Sequence, residues 1–375
     1  MIRMFGLVLA AFGLALATPV SARPLLDCPL RDAPFSTASP LIDVLLNARA
    51  RAAVDKAVPG LTGKLPPQFM GTTPPSFAAI LTLKEAAGFL RLPSLDLDGI
   101  GRDLAVIPVT DADRIARCAR YDADPPALAI PRGKLRVMLF EKINGFRDGP
   151  SVDAAHAAFV AMALRNHWAL VSTDKGSAFT PAIMRKFDVV IWNNVSGDVL
   201  TLRQRAAFRG WMEHGGGFVG VHGSAGDPVY FWDWYVDGLL GARFEGHPFP
   251  KQFQTARVSI EDNAHPAAAG LPAQWDMNDE WYSFRTNPRP AGARVIAKLD
   301  ESTYQPIFTV PGGGNQDLRM GDHPIAWSRC IGTGGRMFYS AIGHRPERYG
   351  DAVYVQMLEQ AVGWAGTRGG CPAGN

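Results

Sequence analysis

The sequence predicts an α/β protein with a doubly wound, mostly parallel sheet, preceded by a small helical accessory module. Three observations carry that prediction. From Lys134 onward, short apolar runs alternate with helical patterns, and strand–helix alternation implies βαβ units. Phe218, Val219 and Val221 form a run too apolar to face water, as in a parallel sheet covered on both sides. Before Ile130 the chain is instead rich in Leu, Ala and Pro and carries only short helical patterns. The expected division is a leader over residues 1–22, a helical module over 23–131 and an α/β domain over 132–375.

The leader is a secretory signal peptide by its grammar. Arg3 precedes an apolar run from Met4 to Ala17, and Val20-Ser21-Ala22 is a small-residue cleavage site. The run is short for a bilayer span, and no later stretch is long enough to cross. The mature protein is therefore expected to be periplasmic or secreted, with no membrane insertion after cleavage. Losing Arg3 lowers the formal charge of +3 by one. That balance excludes a nucleic-acid footprint or a polybasic membrane surface. Cys28, Cys118, Cys330 and Cys371 all survive cleavage and permit two disulfides in three pairings. The pairing expected is Cys28–Cys118 and Cys330–Cys371, which ties each terminus to its own module.

In the amino-terminal module, Ser39-Pro40 opens a helix through Leu41, Val44, Leu45, Ala50 and Val54 that ends before Pro59-Gly60. Leu83 to Phe89 is a second helical piece. The α/β grammar begins with a strand at Leu135–Phe140 and a helix from Val152 to His167. Strands follow at Trp168–Ser172 and Asp188–Trp192, separated by a short helix opened by Thr180-Pro181. Thr201 caps the next helix, Gly215-Gly-Gly217 supplies a left-handed exit, and a strand ends on His222. Beyond Trp232 the pattern is irregular, with strands at Ala256–Ile260, Arg294–Leu299, Ile325–Trp327 and Met337–Ala341, then a closing helix from Asp351 to Trp364.

In open parallel sheets ligands bind beyond the carboxyl ends of the strands. Glu141 and Asn144, Asn193 and Asn194, His222, and His344 all fall at such ends. His247 in Gly246-His-Pro248 and Glu280 in Asp279-Glu-Trp-Tyr282 lie on later connections. Three histidines and a carboxylate suit a metal site, or acid–base and hydrogen-bonding work around a sugar. His156, His167, His214, His265 and His323 sit where helix ends and turns explain them. Gly312-Gly-Gly314 follows no strand-to-helix turn and is no phosphate cradle. Gly220-Val-His-Gly-Ser224 has the outline of a nucleophile elbow with histidine at its apex, and Ser224 lies two residues past it.

Six segments together resemble the ThuA-like (trehalose utilisation) family in order and spacing. They are Gly216-Gly-Phe-Val-Gly-Val-His222, Leu240-Gly-Ala-Arg-Phe-Glu-Gly-His-Pro248, His265-Pro-Ala-Ala-Ala-Gly-Leu-Pro272, Asp279-Glu-Trp-Tyr-Ser-Phe284, Pro324-Ile-Ala-Trp327 and Gly334-Gly-Arg-Met-Phe-Tyr-Ser-Ala-Ile-Gly-His344. The resemblance runs from about Lys134 to Gly366 and implies a flavodoxin-like fold similar to class I glutamine amidotransferases. The elbow cysteine of those enzymes is replaced here by His222, so amidotransferase chemistry is not implied. What the resemblance implies instead is carbohydrate metabolism through 3-keto-glycosides made by a partner sugar oxidoreductase.

A ketone at C3 acidifies the C2 proton, so a base can remove it and the C1 group can leave. By resemblance His222, His247, Glu280 and His344 are the positions carried over. With the keto-sugar chemistry, His222, Glu280 and His344 are the catalytic candidates, and Arg147, Asp148, Asn193, His247 and Tyr282 the substrate-binding ones. His222, His247 and His344 are the candidate ligands of one divalent ion such as zinc. Family members often show Gly-Phe-Arg-His where this chain has Gly145-Phe-Arg-Asp148. The alternative function is a non-catalytic sugar-binding or sensing protein using the same cleft.

Overall fold

The structure is a computed structural model that describes residues 25–57, 63, 65–89, 95–309 and 314–371. The leader, Pro59-Gly60 and most of Gly312-Gly-Gly314 lie outside the described residues. Among the described residues no helix is long and apolar enough to cross a membrane.

The amino-terminal module consists of α1 (Leu41–Leu46), α2 (Ala48–Ala57), α3 (Leu83–Phe89), α4 (Leu97–Ala105) and α5 (Asp111–Cys118). The single helix expected after Ser39-Pro40 breaks at Asn47, which is extended. Its side chain gives the reason: Oδ1 accepts from the Ala50 N–H at the start of α2, while Nδ2 donates to Asp113 on α5. Two apolar clusters fill the module, one around Val44, Val54, Ile100 and Leu104 and one around Leu41, Leu45, Phe69 and Leu81. The Cys28–Cys118 disulfide closes it and Cys330–Cys371 staples the other end of the chain, as the expected pairing had it.

The sheet has nine strands in the order β2-β1-β3-β4-β13-β12-β9-β6-β7. Its parallel half comprises β1 (Arg136–Phe140), β2 (Ala169–Thr173), β3 (Val189–Asn193), β4 (Gly217–Val221) and β13 (Gly335–Ser340). β3, β4 and β13 are buried along their whole length. Helices α6 (Gly149–Asn166), α7 (Pro181–Met184), α8 (Leu202–Glu213) and α9 (Ala352–Ala365) complete the expected βαβ grammar. Thr201 and Gln204 form a capping box on α8, and Gly215 leaves that helix at φ +101°.

The antiparallel half comprises β6 (Phe253–Ile260), β7 (Gln274–Glu280), β9 (Arg294–Asp300) and β12 (Pro324–Ile331). Short pairs β5 (Phe244–Gly246) with β8 (Ser283–Phe284), and β10 (Ile307–Thr309) with β11 (Asn315–Asp317), flank it. A π-helical turn over Trp234–Leu240 was not foreseen, nor was β7, whose sequence Gln-Trp-Asp-Met-Asn-Asp-Glu holds little apolar alternation. β7 stands at the far edge of the sheet, yet its Asp279 accepts the backbone N–H groups of Gly343 and Arg345 just past β13. The antiparallel half therefore curls back over the carboxyl ends of the parallel strands.

Candidate active site

β4 delivers His222 and β13 delivers His344, side by side in the parallel sheet. His222 has φ +37°, a left-handed backbone that a side-chain-bearing residue adopts only under constraint. Two bonds impose it. The Tyr339 hydroxyl donates to the His222 carbonyl at 2.8 Å, and His222 Nδ1–H donates to the Ala341 carbonyl at 2.7 Å. Gly343 sits at φ +130°, and a Cβ there would press on the Tyr349 hydroxyl and the His222 Cβ. Glycine at 343 thus permits both the left-handed backbone of the Ile342-Gly-His344 turn and its close packing on the Tyr349 hydroxyl.

Glu280, at the end of β7, is the hub. Its Oε2 lies 3.2 Å from His222 Nε2 and 3.0 Å from His344 Nδ1, and those two nitrogens are 3.1 Å apart. Its Oε1 faces His247 Nδ1 at 3.2 Å and accepts from Gln252 Nε2 at 2.5 Å. Glu280 and His222 are buried, while His344 and His247 open progressively to solvent. The Tyr282 ring stacks on His222 with centroids 4.1 Å apart. Phe146 and Phe253, both partly exposed, flank His344.

The electrostatics follow from this packing. Burial works to raise the Glu280 pKa, but hydrogen bonds from His222 and His344 and the charge of His247 outweigh it and hold the carboxyl well below its ordinary range. Burial likewise works to lower the His344 pKa, and its bond to Glu280 with the charges of Glu280, Asp148 and Asp279 raises it. Asp279 moves upward because it is buried, although His222 and three backbone N–H groups favour its charged form.

The donor set also fits a divalent cation. His222 Nε2, His344 Nδ1 and one Glu280 oxygen lie within 4.8 Å of one another. Ligands of a tetrahedral zinc at about 2.1 Å stand about 3.4 Å apart, close to the separations here. Each ring turns its far nitrogen to an outer acceptor, His222 Nδ1 to Ala341 O and His344 Nε2 toward Asp148 Oδ2 at 3.6 Å. The Ala341 bond fixes the tautomer that leaves His222 Nε2 free to ligate. The His344–Asp148 separation is an ion-pair distance, longer than a hydrogen bond. Two histidine nitrogens and a carboxylate are a three-ligand set of the kind catalytic zinc sites use.

Comparison with known proteins agrees with the geometry. The family model described as "ThuA: Trehalose utilisation" matches residues 136–365, more than half of the chain. The chain belongs to the ThuA family. A putative ThuA-like protein from Bacteroides uniformis is 25% identical, with a TM-score of 0.52 over 64% of this chain and 95% of its own. One from Parabacteroides merdae is 16% identical, with a TM-score of 0.43 over 62% and 90%. No curated protein matches the chain.

The ThuA candidates named by sequence separate into three groups. His222, Glu280, His344, His247 and Tyr282 meet in one cluster, and Asp148 joins it through His344. The ligand set differs from the expected trio of histidines: Glu280 completes the compact group, and His247 meets the other carboxylate oxygen. Asn193 does not face the cluster. Its Nδ2 donates both protons, to Glu141 and the Val152 carbonyl, and its Oδ1 accepts from Asn194, so its donors are already taken within the fold. Arg147 is paired with Asp153 at the surface, outside the cluster.

Ser224 is buried between the Trp192 carbonyl and the Val195 N–H, which explains it as a structural residue. Gln252 and Phe253 went unnoticed because nothing marks a glutamine or phenylalanine at the mouth of an irregular segment. Asp279 was visible only as the neighbour of Glu280.

Proposed function

We propose that this protein is an exported carbohydrate-processing enzyme that cleaves 3-keto-glycosides, and that the Glu280 hub with its three histidines performs the reaction. The observation that carries the reading is the geometry of that hub: a buried carboxylate that orients His247 with one oxygen and completes a two-histidine donor set with the other. ThuA membership supplies the carbohydrate class.

In this reading His247, the most solvent-open of the three histidines and held by Glu280, removes the C2 proton of the keto-sugar. The electron pair moves toward the C3 carbonyl to form the enolate. The enolate expels the C1 oxygen as a C1=C2 double bond forms, and protonated His247 gives the proton it took from C2 to the leaving oxygen. Water then adds across C1=C2, its hydroxyl to C1 and a proton, passed through His247, back to C2, which completes hydrolysis. A divalent cation held by His222, Glu280 and His344 would supply positive charge for the oxyanion developing at C3. Because its pKa lies well below the ordinary range, Glu280 orients the rings and is not the proton donor. Tyr282 fixes the His222 plane, Asp148 orients His344, and Phe146 and Phe253 offer apolar faces to the sugar ring. The Arg3 leader and two disulfides support export to an oxidising compartment.

The test is incubation of tag-free mature protein with a 3-keto-disaccharide, with zinc, manganese or nickel supplied and products read by mass spectrometry. Cleavage that disappears in His222→Ala, with a stoichiometric metal lost from His222→Ala and His344→Ala, is the expected result. Unchanged turnover in His222→Ala would refute the catalytic assignment. Sugar affinity with no product under any metal would instead leave a binding protein. For export, mass spectrometry of the periplasmic or culture fraction should find a chain beginning at Arg23.

A further inference from the structure

A second polar cleft lies at the amino-terminal end of β13, away from the Glu280 cluster. It is lined by His265, Arg294, Ser328, Arg329, Arg336 and Trp364, beside the Cys330–Cys371 disulfide. Arg336 is the second residue of β13 and pairs with Gly217 at the start of β4, whereas His222 follows the end of β4. By strand rise the two sites stand roughly 15 Å apart.

The charge of this cleft is unusual. Arg336 is nearly buried, and its guanidinium donates only to the carbonyls of Thr367, Gly369 and Gly370, at 2.5, 3.1 and 2.9 Å. Arg329 donates only to the carbonyls of Asp237, Gly238 and Leu239, at 3.3, 2.8 and 3.0 Å, and its buried Nε meets no protein acceptor. Among the described residues no carboxylate pairs with either. Arg294, at the rim, is already paired with Asp262.

The third wall is His265, 1% exposed. Its Nδ1 accepts the Ala267 N–H at 3.1 Å, which places the ring proton on Nε2. Nε2 meets no protein acceptor. Burial, with the nearby Arg294 charge, holds this ring neutral, at a pKa of about 4. The Trp364 ring packs against His265 at 4.7 Å and lies beneath Arg336 at 6.0 Å, closing the floor. The space is about 80 Å³, several times what one water needs.

One buried guanidinium, Arg336, and one half-buried, Arg329, both with neutral partners, together with two unmet N–H donors on residues lining one space, call for an anion with several acceptor oxygens. We propose that this cleft is a binding site for a small tetrahedral oxyanion, a phosphate or sulfate group, held between Arg329, Arg336 and His265 Nε2–H. The group can arrive as the free ion or as an ester on a small molecule, and the cleft would be independent of the Glu280 cluster.

The test is calorimetric titration of the intact, disulfide-bonded protein at constant ionic strength with phosphate, sulfate, glucose 6-phosphate and acetate. The expected result is saturable binding of one phosphate or sulfate. His265→Asn keeps an acceptor for the Ala267 N–H while losing the Nε2–H donor, and should weaken binding about tenfold. Arg329→Gln should weaken it further, and His222→Ala should leave it unchanged. Glucose 6-phosphate binding as tightly as phosphate would assign the ester; binding of the free ion alone would assign the ion. Three results overturn the proposal: no saturable binding of either oxyanion at millimolar concentration, acetate binding as tightly as phosphate, or full affinity in a folded His265→Asn protein. Should Arg329→Gln fail to fold, Arg294→Gln at the exposed rim serves as the second charge variant, with a severalfold loss expected.

Discussion

The parallel half of the sheet and the antiparallel half do different work. β3, β4 and β13 are buried from end to end, and β4 and β13 lead into His222 and His344. His222 is held by its ring bond to the Ala341 carbonyl and by the Tyr339 hydroxyl on its own carbonyl. β6 alternates exposed and buried residues along most of its length, and β7 is buried mainly at its Glu280 end. The first half is a frame whose residues are chosen for burial. The second is a partly wetted surface that curls over the frame and contributes the carboxylate without which the two histidines would face each other unpaired. The candidate site lies where the two meet, so neither half alone holds it.

The sharpest way to break this comparison is to change Glu280. Glu280→Gln keeps the shape and removes the charge, and should lower keto-glycoside turnover about a thousandfold, a loss within the range for a group that acts in proton transfer or holds one that does. Metal content should fall with it. Steady-state kinetics and elemental analysis check both. Full turnover in a folded Glu280→Gln protein would move the chemistry back to the parallel half.

The frame is tested by stability. Phe159 on α6 is fully buried in the main core, and Phe159→Ala should cost about 3–5 kcal/mol in urea unfolding. Val258 on β6 is equally buried, but Val258→Ala removes only two carbons and should cost about 2 kcal/mol. Equal losses would mean that the two halves are packed alike and differ only in polarity.

The same contrast explains what the sequence revealed. The parallel half was legible because fully buried strands are continuous apolar runs, and the caps at Thr180 and Thr201 sit where their residue types place them. His222 and His344 could be named because they end such runs. β7 was not legible, since a strand of mixed polarity has no period strong enough to identify it. Asn193 shows the limit of the strand-end rule. A strand end locates a residue, but its side chain turned inward to Glu141 and Val152, and no spacing rule tells the two directions apart. Gln252 approaches Glu280 only through the curl of the sheet, which is a tertiary property.

A smaller effect tests a joint within the frame. Asp227, just past the His222 turn, accepts from the Ser196 hydroxyl at 2.5 Å and the Gly197 N–H at 2.7 Å, tying the loop after β3 to the one after β4. Burial pushes its pKa up to about 7 from an ordinary 3.8. The folded state thus holds this proton more tightly than the unfolded chain. Its contribution to stability is complete below about pH 4, is lost as pH rises toward 7 and is level above that. The slope in the window is at most about 1.4 kcal/mol per pH unit. Asp227→Asn should remove that slope, as measured by urea unfolding between pH 4.5 and 8.

The mildest perturbation is the cap of α8, the helix that feeds β4. The Thr201 hydroxyl accepts from the Gln204 N–H, and the Gln204 side chain returns a bond to the Thr201 N–H at 2.9 Å. Gln204 also donates to the Asp122 carbonyl, so this box joins the helical module to the sheet. Thr201→Ala removes one capping bond and should cost about 1 kcal/mol with turnover unchanged. The helix belongs to the frame and touches neither histidine, so a change in kcat at unchanged stability would show that strain in the frame reaches His222 through β4. That outcome would erase the division between a half that supports and a half that reacts.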